Sequence, residues 1–384
     1  MDKARLDSGI VDINPYCGEK RPAQFYYIDL DAVTAGELTK DVIVSRAEAP
    51  SRAQRLLKVN DILFQTVRPY QQNNYFFCKE RELRTVASTG YAQMRTDNNP
   101  LYIYYSLHQD EFVREVNNRS TGSSYPAINP SELGRCSIYF EPDRTLQDNI
   151  AAVLSAVEEA IGVSRALFEK YAAVKQGLMQ DLLNKGKQMR LDSIVDIYGG
   201  STPDSNNKAF YNGKHIWITP TDLSMLNSAY ISTSERKLTD AGLKRATGKL
   251  YPANSVVMSC RAPVGYCAVV TEPFSFNQGC KALVCKSVNP LYLYYVISFS
   301  TSQLERFASG TTFLEIRKTD LGKFELVIEP DINKQSEIAE ILTAADERLT
   351  AERERLRKLL DIKRGLMDDL LTGKVSTDKQ QGGI

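Results

Sequence analysis

Gly122-Ser-Ser-Tyr-Pro-Ala-Ile-Asn-Pro-Ser-Glu-Leu133 opens a block that ends in Lys175-Gln-Gly-Leu-Met-Gln-Asp-Leu-Leu183. The block returns as Gly310-Thr-Thr-Phe-Leu-Glu-Ile-Arg-Lys-Thr-Asp-Leu321 through Lys363-Arg-Gly-Leu-Met-Asp-Asp-Leu-Leu371, with no gap and a constant offset (310 − 122 = 371 − 183 = 188). Twenty-two of its 62 aligned pairs are identical, which marks an internal repeat. With small gaps the repeat reaches further back. Arg5-Leu-Asp-Ser-Gly-Ile-Val-Asp-Ile13 matches Arg190-Leu-Asp-Ser-Ile-Val-Asp-Ile197, and Asn99-Pro-Leu-Tyr102 matches Asn289-Pro-Leu-Tyr292. The chain is two half-molecules, roughly 1–187 and 188–375, that have diverged most over 14–60 and 198–250.

Each half reads as a mixed α/β globular part followed by one long helix. β-like runs fall at Asp61–Val67, Cys136–Phe140, His215–Ile218, Ser255–Met258, Ala282–Val284 and Phe324–Ile328. Three-to-four spacing of apolar residues predicts helices over Leu101–Val116 and Leu291–Phe307. The first long helix is expected from a Thr145 N-cap to Leu183, stopped by Gly186, with Ile150, Val153, Val157, Ile161, Leu167, Tyr171, Val174, Leu178 and Leu182 as its stripe. The second runs from near Asn333 to a stop at Gly373, with Ile338, Ile341, Ala345, Leu349, Leu356, Leu359, Ile362, Leu366 and Leu370. About 40 residues make roughly 60 Å of helix. A stripe that long needs a partner, and the other copy is the simplest one. Two equal stripes bury each other through a pseudo-twofold, as an antiparallel coiled coil. The expected fold class is thus α+β. The segments are 1–144 and 188–332 as recognition domains, 145–187 and 333–375 as spacer helices, and 376–384 as a disordered tail.

The 384 residues carry a formal net charge of only +1, so a nucleic-acid site has to arise from local clustering. Seven scattered cysteines without a CxxC pair fit reduced thiols of a cytoplasm. Neither a signal-peptide run nor a membrane-length apolar stretch is present. Catalytic patterns are missing as well. There are two lone histidines, His108 and His215, no P-loop and no GxGxxG. Cys260/Cys267 and Cys280/Cys285 lack zinc-ligand spacing. Asn-Pro-Leu-Tyr, at 99 and at 289, resembles the base-gripping loop of adenine methyltransferases but lacks its second proline; it reads as a helix start with proline in the first turn.

Two basic stretches occupy equivalent places. Arg46, Arg52, Arg55, Lys58 and Arg68 stand against Glu48 and Asp61; Arg236, Lys237, Lys244, Arg245, Lys249 and Arg261 stand against Asp240. Such clusters neutralise phosphates. Beside Arg68, the amides Gln71, Gln72, Asn73 and Asn74 offer the paired donor and acceptor that suit adenine edges. Asn206, Asn207, Asn277 and Gln278 are their counterparts in the second half. The hydroxyl turns Ser123-Ser124-Tyr125 and Thr311-Thr312-Phe313 recur at one repeat position and suit phosphate or base-edge contact.

At this point the residues resemble the specificity subunit of type I restriction–modification enzymes. The resemblance rests on the duplicated Lys-x-Gly-Leu-Met-x-x-Leu-Leu helix ends and on Gly199-Gly-Ser-Thr-Pro203, Tyr211-Asn-Gly213, Ile216-Trp-Ile-Thr-Pro-Thr-Asp-Leu223, Asn277-Gln-Gly279 and Gly310-Thr-Thr312 with Ile316 to Leu321. The first half lacks the Gly-Gly-x-Thr-Pro opening and belongs to a different subfamily. The resemblance implies a non-catalytic reader of double-stranded DNA, each globular part taking one half of a bipartite, asymmetric target and the helices setting the gap. It adds Thr202, Thr219, Thr221 and Arg317 to the candidate contacts. It also implies two modification subunits that carry S-adenosylmethionine, a place for a restriction/translocase subunit with ATP and Mg, and a prokaryotic cytoplasm. No cofactor or metal is expected on this chain and no membrane partner. The alternative is a self-contained adenine DNA methyltransferase built on Asn-Pro-Leu-Tyr; a third reading is a coiled-coil scaffold without DNA contact.

Overall fold

The computed structural model describes residues 1–16, 19–261, 263–308 and 315–375. The expected tail 376–384 and the hydroxyl pair Thr311 and Thr312 lie outside the described residues. The chain forms two compact units, Met1–Arg165 with Glu354–Ile384, and Ala166–Arg353. The boundaries cut both long helices, so each unit takes half of each helix rather than leaving the helices as separate segments.

In the first unit, Asp2–Arg5 pairs antiparallel with Ser137–Phe140. One four-stranded sheet runs Val42–Ser45, Gln24–Ile28, Thr85–Ser88, Ala53–Leu56, with the two middle strands parallel. A second runs Asp12–Ile13, Tyr91–Arg95, Ile62–Gln65, Tyr75–Phe76. The second unit repeats the small ribbon as Lys187–Arg190 with Glu325–Ile328. It then builds a five-stranded sheet, Val195–Gly199, Cys280–Cys285, Ser255–Ser259, Cys267–Val270, Tyr230–Ile231, and a three-stranded one, Lys237–Leu238, Tyr211–Ile218, Phe274–Phe276.

The long helices span Arg144–Leu183 and Ile332–Leu371. The first is not capped by the expected Thr145, and the second starts one residue before the expected Asn333. The Asp143 carboxylate accepts from the Thr145 amide at 2.7 Å, and the Asp331 carboxylate from the Asn333 amide at 2.9 Å. A carboxylate there also meets the positive end of the helix dipole. In the first unit, Ile150, Ala151 and Leu154 share a core with Leu370 and Leu371, and Glu158 pairs with Lys363. In the second, Met179 and Leu183 share a core with Ala339 and Leu342, and Lys175 pairs with Asp346. Four members of the expected stripes are instead exposed: Val153 (38%), Val174 (48%), Ile341 (46%) and Ile362 (50%).

The expected single helices after each Asn-Pro are broken in two, Pro100–Ser106 then Asp110–Arg119, and Pro290–Phe299 then Thr301–Phe307. Both begin as read. The Asn99 and Asn289 side chains accept from the amides of Tyr102 and Tyr292. Their own amides donate to Gln147 and Gln335, two buried glutamines at one repeat position of the long helices. The Tyr102 and Tyr292 hydroxyls accept from the amides of Glu141 and Glu329 at 3.0 Å. The asparagine and tyrosine side chains of this motif are thus committed to the helix start, to the long helix and to the segment leading into it.

Candidate nucleic-acid interface

In the first unit, a short 3-10 turn, Pro69–Gln71, follows the buried strand Ile62–Gln65. Arg68 and Gln72, on either side of it, adopt left-handed backbone (φ 55° and 52°). Residues with a side chain pay for that conformation, and it persists where the surroundings impose it. Here the Arg68 amide donates to the Pro126 carbonyl at 2.7 Å, which ties the turn to the 121–127 hairpin. That tie lays the guanidinium on the Tyr125 ring at 4.3 Å. Tyr125 (66%) and Tyr70 (52%) are exposed beside it. A stacked guanidinium keeps its plane fixed and its edge free for two parallel hydrogen bonds, the geometry that reads guanine.

The amides divide into two kinds. Gln71 is exposed and Gln72 half-buried. Asn73 is held from inside, its amide donating to Gln65 and its side-chain oxygen accepting from Ala35. Asn74 is buried (1%) and accepts from the Gln65 amide at 2.8 Å, so its expected role as a DNA contact is corrected to that of an internal brace. Ser123 and Ser124 are exposed in the hairpin that carries Tyr125. Arg52 and Arg55 sit apart from this loop, at the other four-stranded sheet. Arg52 is exposed and lies 3.7 Å from Asp29, while burial lowers the pKa of Arg55. Asp61, expected as a surface counter-charge, is fully buried and holds Arg95 in two hydrogen bonds of 2.8 Å.

In the second unit, loops from distant parts of the sequence converge on Asn277. Its side chain donates to the Thr202 hydroxyl at 2.9 Å, and its oxygen accepts from Gly279 at 2.6 Å. Its amide donates to Ile218, directly before Thr219. Thr219 caps the short helix Pro220–Ser224 in a reciprocal box with Asp222, leaving Thr221 exposed. Gly279 lies where a Cβ would meet Asn277, Pro220 and the Arg261 stem, so glycine lets these groups close together. Gln278 is exposed next to it, and Arg261 is exposed with Glu315 at 3.1 Å. Thr202, Thr219, Thr221, Arg261, Asn277 and Gln278 therefore gather into one surface. Asn206 and Asn207 do not join it by any contact; they form a separate exposed turn in which Asn207 caps Lys208–Phe210. Lys244 and Arg245 are exposed at the C-terminal end of the helix Asp240–Arg245, where cations offset its dipole. Arg317 is exposed directly before the helix Lys318–Lys323.

Arg236 and Lys249 of the second basic stretch, and Lys318, are placed on aromatic rings. Arg236 lies 4.2 Å from the Tyr211 ring and 5.5 Å from Trp217; Lys249 and Lys318 lie 5.1 and 5.7 Å from Tyr198. Residues 211, 217 and 236 meet only through strand pairing, so the sequence marks Arg236 as a cation but not its stacking. Burial pushes the thiols of Cys260 and Cys267 up to about 12 and that of Cys280 well above its usual value. No group of metal-ligating side chains occurs among the described residues. Nor is any described helix long and apolar enough to cross a membrane.

The geometry gives unequal weight to the arginines. Arg68→Ala is expected to weaken binding at the first half of a target by about 1–3 kcal/mol, since it removes a pre-oriented bidentate donor. Arg52→Ala, a flexible exposed cation already near a carboxylate, is expected to cost under about 1 kcal/mol. Competition binding by the assembled complex, with targets altered in one half, measures both.

Residues 184–360 match the family model described as "Type I restriction modification DNA specificity domain". Among curated proteins, the chain is 32% identical to the type I restriction enzyme MjaIX specificity subunit of Methanocaldococcus jannaschii over 41% of this chain and 37% of that one. It is 29% identical to the EcoR124I/EcoR124II specificity subunit of Escherichia coli over 65% of this chain and 64% of that one. These alignments thus span less than two thirds of either relative. The MjaVIII specificity subunit of Methanocaldococcus jannaschii aligns over 95% of this chain and 92% of that one, at 21% identity. Two solved structures share the fold along the chain. One is the type I restriction–modification system S subunit from M. genitalium (TM-score 0.61, 13% identity, 96% of each chain). The other comes from a study of complex assembly and conformational transition in a type I system (TM-score 0.58, 20% identity, 97% and 98%). Residues 184–360 thus carry a type I restriction–modification DNA specificity domain, and the chain is similar along its length to type I specificity subunits.

Proposed function

We propose that this chain is the non-catalytic DNA reader of a type I restriction–modification complex in a prokaryotic cytoplasm. The carrying observation is one frame with two chemistries. Both units repeat the same ribbon, the same capped helix start and the same long-helix contacts. Their reading loops differ: a stacked arginine with amides in the first, a Thr202–Asn277 cluster with Arg261 in the second. Such a pair suits two unlike half-sites of an asymmetric target. The long helices, pairing antiparallel along their length, would act as the ruler between half-sites, on the order of one duplex turn. The Glu158–Lys363 and Lys175–Asp346 pairs support this, because they are the same two repeat positions exchanged between helices.

Two modification subunits carrying S-adenosylmethionine are the expected partners, with a restriction/translocase subunit, ATP and Mg where the system has one. The exposed residues Val153 and Ile341 are repeat equivalents, as are Val174 and Ile362, and each unit carries one residue of each pair. Gly177 and Gly365 are likewise equivalent, and a Cβ on either meets nothing within 4 Å. Glycine inside a helix costs about 1 kcal/mol relative to alanine, and nothing in the chain itself requires it there. A partner backbone approaching at those points gives a reason. The double substitution Gly177→Ala, Gly365→Ala is therefore expected to raise the melting temperature of the free chain and to reduce capture of the modification subunit. Calorimetry and pull-down read the two effects.

The self-contained methyltransferase reading has no support, because its loop is consumed in capping. The direct test of the two-reader assignment is a chimera with residues 1–144 exchanged for those of a relative. The expected result is a changed base sequence in one half of the methylated motif only; a change in both halves, or in neither, rejects the assignment.

A further inference from the structure

We propose that His108 is a positioning residue that sets the geometry of the first unit's reading loop; the proposal rests on the half-site reading above. The loop contains two strained residues, Arg68 and Gln72, so something beneath it has to impose their conformation. Gln65, buried at the end of its strand, is the template. Its amide donates to the Asn74 side-chain oxygen at 2.8 Å. Its own side-chain oxygen accepts from the Asn73 amide at 3.0 Å, and its NH2 donates to the Gln71 side chain at 2.9 Å. Three loop residues, Gln71, Asn73 and Asn74, thus bond to Gln65, and Asn74 anchors it through its backbone amide.

The orientation of Asn74 follows from groups that cannot change role. The Gln65 amide only donates, so the oxygen of Asn74 must face it. The NH2 of Asn74 must then face His108 Nε2, 3.2 Å away. An NH2 only donates, so Nε2 must be unprotonated and the ring proton must sit on Nδ1. Nδ1 lies 2.7 Å from the Tyr104 carbonyl, which only accepts. Each assignment forces the next, from the helix Pro100–Ser106 to the loop. Burial of the ring favours the required neutral form and holds its pKa down to about 4, with Lys363 acting in the same direction and Glu158 against it. Losing the acceptor at Nε2 would free Asn74, and with it Gln65 and the side chain of Gln71.

The device belongs to one unit alone. Aligning Asn99 with Asn289 puts Ser298 at the position of His108 (108 + 190 = 298), and Ser298 meets the Cys267 sulfur at 3.5 Å instead. Any effect of His108 should therefore be confined to one half-site.

The test maps methylation at single-base resolution in the host, with the full chain and its own partners, for wild type, His108→Leu, His108→Gln and Asn74→Asp. His108→Leu and Asn74→Asp remove the acceptor and the donor of the pair. Both are expected to lower the preference for the cognate first half-site over single-base variants by about tenfold, with the second half-site and the gap unchanged. His108→Gln, whose side-chain oxygen can accept from Asn74, is expected to keep the wild-type preference. Wild-type preference in His108→Leu overturns the proposal, as does an equal loss at both half-sites in all three variants with a lowered melting temperature. If wild type itself methylates no bipartite motif, the half-site reading fails first and the proposal falls with it.

Discussion

Gly200→Ala should abolish reading of the second half-site, while Gly199→Ala, one residue earlier, should leave it intact. A Cβ on Gly200 would fall inside the contact distance of the Asn277 carbonyl and against the Phe276 ring; a Cβ on Gly199 meets nothing within 4 Å. Backbone on one side and a buried ring on the other cannot both yield. The strand end that carries Asn277 must therefore move away from Ser201, whose amide bonds Phe276 at 3.2 Å. That shift breaks the Thr202–Asn277 pair, the centre of the second reading surface. Overpacking of this kind costs about 1–3 kcal/mol in stability. The loss in discrimination should be larger, because several base contacts of about 1–3 kcal/mol each depend on that one placement. Methylation at the cognate target by the assembled complex, set beside urea melting of both variants, separates the two costs. Equal methylation by both glycine variants would remove Asn277 from the reading surface.

Asp61→Ala should be the most destabilising single change in the first unit. Asp61 is fully buried and accepts from Arg95 Nε, Arg95 NH2, the Gln93 side chain at 2.6 Å and the Lys58 amide at 2.7 Å. Removing it takes one acceptor from a guanidinium, from an amide side chain that keeps the Leu56 carbonyl, and from a backbone N–H. Breaking one partner of a buried pair costs about 3–5 kcal/mol. Arg95 is itself 30% exposed, so water recovers part of that loss and the lower end of the range is expected. Because Asp61 sits at the start of the strand leading to Arg68, first-half recognition should weaken along with stability. A loss of unfolding free energy below about 1 kcal/mol in urea melting would mean the network is dispensable.

The most legible features were those that depend on period and repetition. The duplicated block, both long helices to within a residue or two, and the strands Ser255–Ser259 and Glu325–Ile328 follow from apolar spacing alone. The first cap was misread by two residues because Thr145 is a permitted cap, while Asp143 adds charge where the dipole favours it. Val153, Val174, Ile341 and Ile362 were assigned to the buried stripe because a three-to-four pattern spans more than one face and does not say which edge is covered. The breaks at Leu107 and Ser300 carry no glycine or proline, so nothing local announces them.

The candidate site was legible as clusters but not as geometry. Four consecutive amides, Gln71 to Asn74, look alike in sequence; the fold leaves Gln71 exposed with its side-chain oxygen on Gln65 and closes Asn74 inside. Arg68 was chosen for its charge, yet its value lies in the Tyr125 ring beneath it, 57 residues later (125 − 68 = 57). Asn277 was read only as one loop amide among four and Thr202 came through family resemblance; that the two pair was not legible, because a hydrogen bond across 75 residues leaves no periodic trace. His108 appeared as an isolated histidine, since its partners arrive from the loop above and the helix below.

The measurement that bears most directly on the account is adenine methylation of host DNA at single-base resolution, with and without this gene. The account predicts that one split, asymmetric motif loses its methylation when the gene is removed and regains it when the gene is returned. A methylation pattern identical in both strains, with the partner subunits expressed, would contradict it.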